Sequence, residues 1–153
     1  MRILLAEDQA MVRTALAGLL KLETGYHVID VADGASALKQ LQQQPFDLLL
    51  TDIEMPHHTG IELAQHVQQH KLNTKVVIIT TFGRAGYVKR AIDAGVGGFL
   101  LKDAPVEELV SAISQVMAGK RVIDSELLLN SLGEQDPLSD KERKALQLAG
   151  ITK

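Results

Sequence analysis

The sequence contains no cysteine and no tryptophan, and aromatic residues make up only 3% of its 153 positions. The absence of cysteine excludes disulfide bonds, cysteine-ligated zinc sites and thiol nucleophiles. The scarcity of aromatic side chains argues against a surface on which bases or sugars stack. Apolar residues nevertheless make up 46% of the chain and charged residues 23%, which are ordinary values for a folded domain and exclude a disordered chain.

Long apolar runs and an excess of positive charge are also lacking. No apolar run approaches the ~20 residues that a helix needs to cross a bilayer, and the N-terminus lacks the apolar core of a signal peptide. Sixteen Lys and Arg residues against nineteen Asp and Glu residues give a net charge of −3, so no overall charge draws the chain to nucleic acid. With the absence of cysteine, these features favour a cytoplasmic protein that does not associate with membranes.

What the sequence does contain is a regular alternation of two patterns. Five short apolar runs are separated by stretches in which apolar residues recur every three or four positions; the runs are Ile3–Ala6, Val28–Val31, Phe46–Leu50, Val76–Ile79 and Phe99–Leu101. Several runs are nearly continuous, as in strands that are covered on both faces, and the stretches between them predict helices. The alternation predicts an α/β fold with a (βα)5 doubly wound, five-stranded parallel sheet over residues 1–120.

Local signals indicate where several helices begin and end. Thr59 and Glu62 have the spacing of a capping box, and Asp103 stands as a cap signal two residues before a proline. Gly95 and Gly119 follow periodic segments and predict C-terminal stops.

The chain changes character after about residue 120. Residues 121–137 predict a short helix and a polar linker, and residues 138–153 open with a second capping box at Ser139 and Glu142. The chain stops at Lys153, directly after this last predicted helix, and a lone helix of this length cannot form a core. We therefore expect residues 138–153 to be the opening of a domain whose remainder is absent.

Polar and charged residues follow four of the five predicted strands. In an open α/β sheet, ligands bind beyond the carboxyl ends of the strands, so these side chains are expected to meet at one edge. They are Glu7, Asp8, Asp52, Thr80, Thr81 and Lys102.

This set of side chains predicts a particular chemistry. Carboxylates gathered closely repel one another unless a positive group lies between them. With no cysteine, and no histidine beside these positions, the ligands are all oxygen, which favours a hard cation such as Mg²⁺. A metal ion and a lysine together clamp a phosphoryl group, and an ionised aspartate can accept one.

Four motifs resemble those of the receiver domain of two-component response regulators: Glu7–Gln9, Leu50–Pro56 followed by Gly60, Ile79–Thr81 and Phe99–Lys102. The resemblance covers residues 1–120 and implies the flavodoxin/CheY-like form of the predicted sheet. It implies a phosphoacceptor switch, with at most slow self-dephosphorylation, in which a sensor histidine kinase phosphorylates Asp52. It also implies that Mg²⁺ or Mn²⁺ is bound by Glu7, Asp8, Asp52 and the backbone carbonyl of Glu54. The acidic pair is Glu-Asp where Asp-Asp is common, but the longer side chain still supplies an oxygen ligand.

The same resemblance assigns roles to the other residues at this edge. Lys102 would pair with the phosphate, and Thr80 would move to donate a hydrogen bond to it. Phe99 resembles an aromatic switch that fills the space vacated by Thr80, although core packing alone also explains a phenylalanine there. Glu54 and Thr81 would modulate the lifetime of the phosphoryl group, in a direction that the sequence does not give.

The C-terminal segment Pro137–Leu146 resembles the start of the LuxR-type helix-turn-helix domain of NarL/FixJ-type regulators. This implies control of transcription, with DNA bound only through the remainder of that domain, and homodimerisation on phosphorylation. The first and fifth helices are the expected interface, with Met11, Ala17 and Val110 as exposed apolar candidates. The alternatives are that these residues pack inward and that the C-terminal helix is incidental to a receiver domain.

Two other functions use some of the same residues. Metal-dependent phosphatases of similar topology also form an aspartyl phosphate, but they favour an aspartate where this chain has Glu54, and no cap domain is available. His66 and His70 are four residues apart on a predicted helix, with His57 and His58 in the preceding loop, which is compatible with a zinc or nickel site. A solvated helix face explains these histidines more simply, and we favour that interpretation.

Overall fold

The structure is a computed structural model that describes residues 1–55, 57–81 and 85–133. The strands are β1 (Arg2–Ala6), β2 (His27–Val31), β3 (Leu48–Asp52), β4 (Lys75–Thr80), β5 (Gly98–Leu101) and β6 (Val122–Ile123). The helices are α1 (Ala10–Thr24), α2 (Gly34–Gln43), α3 (Gly60–Gln69), α4 (Ala85–Asp93), α5 (Val106–Met117) and α6 (Ser125–Gly133).

The strands form one parallel sheet in the order β2-β1-β3-β4-β5-β6. This confirms the doubly wound α/β fold and the five predicted strand–helix units. The sixth strand was not predicted. It pairs Val122 and Ile123 with Gly98 and Phe99, and two residues are too few to give a periodic signal in the sequence.

Helices cover both faces of the sheet. On one face, α1 and α5 enclose a core that contains Ile3, Leu5, Leu48, Leu50 and Ile113. On the other face, α2, α3, α4 and α6 enclose a second core, whose members include Leu4, Leu49, Ile78 and Phe99. Alternate residues of one strand therefore enter different cores, which explains why the strand sequences are apolar without interruption.

Most of the helix starts and stops that the sequence predicts are confirmed. Thr59 Oγ1 accepts a hydrogen bond from the Glu62 amide (3.1 Å), and Glu62 Oε1 accepts one from the Thr59 amide (2.9 Å), so the capping box forms. Gly95 and Gly119 have φ values of +79° and +92°, as C-terminal stops require. The cap assigned to Asp103 is wrong, because α5 starts after Pro105 without a side-chain cap.

The third strand begins two residues later than the apolar run that predicted it. Phe46 belongs to the preceding loop and is buried there, because it packs into the core without joining the sheet. Pairing begins at Leu48, opposite Ile3 and Lys75. Strand β3 ends at Asp52, which pairs with Ile79 of β4, so the backbone of Asp52 is held in the sheet.

Helix α6 lies where a short helix was expected after residue 120, and it packs against α4. The predicted segment 138–153, with its capping box at Ser139 and Glu142, lies outside the described residues. Across the part of the chain that the structure describes, no helix combines the length and hydropathy needed to cross a membrane.

Candidate functional site

Glu7 is the first residue after β1, and its side chain is fully buried. Its Oε2 atom accepts a hydrogen bond from the Gln9 amide (2.9 Å), and its backbone carbonyl accepts one from Arg13 Nη1 (2.9 Å). Its Oε1 atom lies 2.7 Å from Lys102 Nζ, close enough to form an ion pair with that ammonium group. A charged carboxylate is thus held inside the protein with one oxygen atom still able to accept a further ligand.

Asp52 ends the neighbouring strand β3 and is 6% exposed. Its Oδ1 atom accepts a hydrogen bond from the Ile53 amide (2.7 Å), and its Oδ2 atom accepts one from Lys102 Nζ (2.9 Å). Lys102, which follows β5, also donates to Gln9 Oε1 (3.3 Å). The Lys102 ammonium group therefore contacts Asp52, 50 positions earlier in the chain, and Gln9, 93 positions earlier.

Three charged groups at this edge perturb one another. Burial raises the pKa of Glu7 and the pKa of Asp52, although the hydrogen bond from Lys102 opposes the change in both. Burial alone lowers the pKa of Lys102, but its hydrogen bonds and charge interactions with the two carboxylates outweigh this, and the pKa rises. One cation for two buried carboxylates leaves a net negative charge, which is the condition that favours a bound metal ion.

The fit of a divalent cation rests on the oxygen atoms of Glu7, Asp8 and Asp52. One carboxylate oxygen from each residue lies within 4.8 Å of the other two, and within the described residues this is the group of three ligands that could hold a metal ion. Asp8 is exposed, so this ion would keep access to water. Such a set of hard oxygen ligands with open positions suits Mg²⁺, which keeps several waters and binds phosphate oxygens.

A cavity of about 270 Å³ opens over Asp52. Thr80, the last residue of β4, is buried at its wall, and Thr81 is exposed beside it. Glu54 and Tyr87 also line the cavity, and the Tyr87 hydroxyl donates a hydrogen bond to Glu54 Oε1 (2.9 Å). Since a water molecule occupies ~30 Å³ of liquid, the cavity has room for a phosphoryl group, a metal ion and its waters.

Phe99 lies in β5, opposite Ile78 of β4, and is fully buried. It belongs to the core between the sheet and helices α2, α3, α4 and α6. The structure thus places Phe99 in the core and does not bring its side chain into the cavity over Asp52.

The histidines of α3 form a separate group. The rings of His66 and His70 are 4.1 Å apart between centroids, and burial together with the charge of His70 lowers the pKa of His66. His58 Nδ1 lies 3.7 Å from Glu62 Oε2, and His57 is exposed. A zinc site usually needs four ligands, and two histidines supply only half of them. Within the described residues, no third ligand lies close enough to His66 and His70 to complete a zinc or nickel site.

Sequence reasoning missed two residues at this edge, Gln9 and Tyr87. Gln9 follows the acidic pair directly, so its position could have suggested its contact with the Lys102 ammonium group. Tyr87 lies on α4, seven residues beyond Thr80, and its contact with Glu54 depends on how that helix crosses the neighbouring loop. No spacing in the sequence carries that information.

Comparisons with known proteins agree with this geometry. Residues 3–114 match the response regulator receiver domain family. The chain is 44% identical over 147 residues to the transcriptional regulatory protein DesR of Bacillus subtilis, an alignment that covers 95% of this chain and 73% of DesR. It is 40% identical over 153 residues to the uncharacterised transcriptional regulatory protein YvfU of the same organism, covering 99% of this chain and 76% of YvfU.

Solved structures give the same result. A crystal structure of a LuxR-family DNA-binding response regulator from Staphylococcus aureus is 37% identical and superposes with a TM-score of 0.74. The superposition covers 76% of this chain and 98% of that structure.

Proposed function

The chain belongs to the response regulator receiver family, with NarL/LuxR-type regulators among its relatives, and on that premise we propose that Asp52 accepts a phosphoryl group from a sensor histidine kinase. Proteins of this family act as phosphoacceptor switches in the regulation of transcription. The observation that carries the proposal for Asp52 is its position: a carboxylate at the end of a central strand, joined to Lys102 and facing a cavity that Asp8 also lines.

In the proposed transfer, a carboxylate oxygen of Asp52 attacks the phosphorus atom of a phosphohistidine. The new P–O bond forms as the P–N bond breaks, and the electron pair of that bond returns to the imidazole ring. Lys102 already contacts Asp52, so its ammonium group is placed to pair with the phosphoryl oxygens. Glu7, Asp8, Asp52 and the Glu54 carbonyl would hold Mg²⁺ or Mn²⁺, whose charge offsets that of the incoming group.

Thr80 and Phe99 are the proposed switch residues. An acyl phosphate adds acceptor oxygens to the cavity, and Thr80 at its wall can donate its hydroxyl by moving toward them. Phe99 packs on the neighbouring strand and would follow that movement. Phosphorylation must favour the active arrangement by about 4–6 kcal/mol for a nearly complete switch. Glu54 and Thr81, which line the cavity, would modulate how long the phosphoryl group persists.

Homodimerisation through α1 and α5 is the proposed output. Met11 of α1 is 87% exposed, and Leu22 on the same helix is 79% exposed. Val110 of α5 is half-buried, whereas Ala17 is buried against the sheet, so the expectation that Ala17 is exposed was wrong. An apolar cavity of about 260 Å³ also lies between these two helices. A phosphorylated chain that stays monomeric in sedimentation would contradict this part.

The proposed domains are a receiver at residues 1–120, a short helix and linker at 121–137, and the start of a LuxR-type helix-turn-helix domain at 138–153. DNA contacts would come only from the remainder of the helix-turn-helix domain that residues 138–153 begin. The alignment with DesR extends over 147 residues, well beyond the receiver, which supports the assignment of the C-terminal segment.

The experiment that tests the phosphoacceptor is incubation with acetyl phosphate and Mg²⁺ followed by intact-mass analysis. We expect the wild type to gain the mass of one phosphoryl group and Asp52→Asn to gain none. Asp47→Asn, which changes an exposed aspartate near the start of the same strand, is the matched control and should behave as the wild type. A modified Asp52→Asn variant, or an unmodified wild type, contradicts the proposal.

A further inference from the structure

The hydrogen bond between Tyr87 and Glu54 joins two parts of the chain at the cavity over Asp52. Tyr87 belongs to α4, and Glu54 belongs to the loop that leads from β3 to α3. Tyr87 Oη donates to Glu54 Oε1 at 2.9 Å, and both residues line the cavity together with Asp52 and Lys102. The Tyr87 ring is half-buried, so its packing fixes where the hydroxyl points.

A carboxylate beside an acyl phosphate affects the water that destroys it. In hydrolysis, the water oxygen attacks phosphorus, the P–O bond to Asp52 breaks, and the electron pair of that bond stays on the Asp52 carboxylate. The water gives up one proton, first to a nearby base and then to the solvent or the released phosphate. Glu54 is a base on the wall of the cavity, and a free carboxylate in that place assists the proton transfer.

Tyr87 contacts the Glu54 carboxylate directly through this hydrogen bond. The hydrogen bond from Tyr87 Oη occupies a lone pair of Glu54 Oε1, so this oxygen is less available to a water molecule in the cavity. The same bond holds the Glu54 side chain in one orientation. We propose that Tyr87 is a positioning residue that prolongs the life of the phosphoryl group on Asp52 by holding the Glu54 carboxylate away from the attacking water. This inference rests on the proposed function of Asp52.

The test compares Tyr87→Phe, which removes only the hydroxyl, with Tyr26→Phe as a matched control. Tyr26 is the other tyrosine of the chain, and it packs on the opposite face of the sheet, against the core beneath α1. Each protein is phosphorylated with acetyl phosphate and Mg²⁺ and desalted, and the loss of the phosphoryl mass is followed with time. Tyr87→Phe should lose it about three- to tenfold faster than the wild type, the effect of one net hydrogen bond on a rate. Tyr26→Phe should match the wild type.

A double-mutant cycle separates positioning from simple obstruction of the cavity. In a Glu54→Ala background, which keeps the backbone carbonyl, Tyr87→Phe should leave the rate of loss unchanged, because the residue that it positions is gone. Equal acceleration in both backgrounds would show that Tyr87 obstructs water directly, and this would overturn the inference. An unchanged or slower rate in Tyr87→Phe would overturn it as well. A wild type that never gains the phosphoryl mass contradicts the proposed function itself, which is a distinguishable result.

Discussion

Replacing Lys102 by methionine tests the electrostatic balance of the site. The lysine Nζ atom lies 2.7 Å from Glu7 Oε1 and 2.9 Å from Asp52 Oδ2, and its side chain is 11% exposed. Methionine keeps much of the side-chain volume and removes the charge. Lys102→Met therefore leaves two buried carboxylates without the cation that both contact.

The cost of this change can be bounded in two ways. Removing one partner of a buried ion pair costs about 3–5 kcal/mol. The variant can also protonate a carboxyl group, and at pH 7.5, about 3.5 pH units above an ordinary carboxyl pKa, that costs about 5 kcal/mol. We expect Lys102→Met to lower the free energy of unfolding by about 3–5 kcal/mol at pH 7.5 without metal.

The same reasoning gives the pH dependence. A carboxyl group whose pKa is raised by folding binds more protons in the folded state than in the unfolded state. Such a group lowers the free energy of unfolding as the pH rises above the ordinary carboxyl pKa, which is near 4. Burial already raises the pKa of Glu7 and the pKa of Asp52, and losing Lys102 strengthens the effect. At pH 5.5 protonation costs only about 2 kcal/mol, so the deficit of the variant should shrink to about that value.

Urea unfolding followed by far-ultraviolet circular dichroism measures both quantities. The proteins are compared at pH 5.5 and 7.5 in buffer with EDTA, with Lys39→Met as the control because Lys39 is exposed on α2. Adding Mg²⁺ should restore part of the stability of Lys102→Met, since a bound cation replaces the lost charge. A variant within about 0.5 kcal/mol of the wild type at both pH values would show that Lys102 does not stabilise the two carboxylates, since that is the range of ordinary surface substitutions.

Two further predictions concern the switch and the fold. Thr80→Ala should gain the phosphoryl mass as fully as the wild type but fail to dimerise, because alanine has no hydroxyl to donate to the phosphate. Sedimentation velocity after phosphorylation measures the dimer. Normal dimerisation of the variant would exclude the switch role of Thr80. Thr59→Ala should lower the free energy of unfolding by about 1 kcal/mol, because it removes the side-chain acceptor of the α3 capping box. The control is Thr14→Ala, which changes an exposed threonine of α1, and both variants are unfolded in urea. An equal loss in free energy of unfolding in the two variants would show that the capping box does not stabilise α3.

Much of the fold could be predicted because the sheet is covered on both faces. That arrangement requires nearly continuous apolar strands, and Val76–Ile79 is one that matches its strand closely. The boundary at Phe46 could not be predicted, because an apolar residue that fills the core from a loop has the same local sequence as one in a strand. Ala17 was misplaced for a related reason: a small residue carries little information about which side of a helix is buried.

The candidate site was predicted to the extent that topology determines it. Parallel strands bring their carboxyl ends to one edge, so Glu7, Asp52 and Lys102 could be grouped before any distance was known. The contact between Tyr87 and Glu54 depends on the path of a helix relative to a loop, which neither local pattern nor strand order specifies. Strand ends can thus be assigned from the sequence, whereas contacts made by the surrounding helices depend on how those helices pack in three dimensions.

In the proposed site, carboxylates from separate strands surround one divalent cation beside Asp52. Binding of Mn²⁺ measured by paramagnetic broadening of amide resonances tests it most directly, with Asp8→Asn as the altered protein. In the wild type we expect broadening centred on residues 7–9 and 52–54, at much lower Mn²⁺ concentrations than in Asp8→Asn. Broadening centred on His66 and His70, or a wild type and variant that respond alike, would contradict the claim.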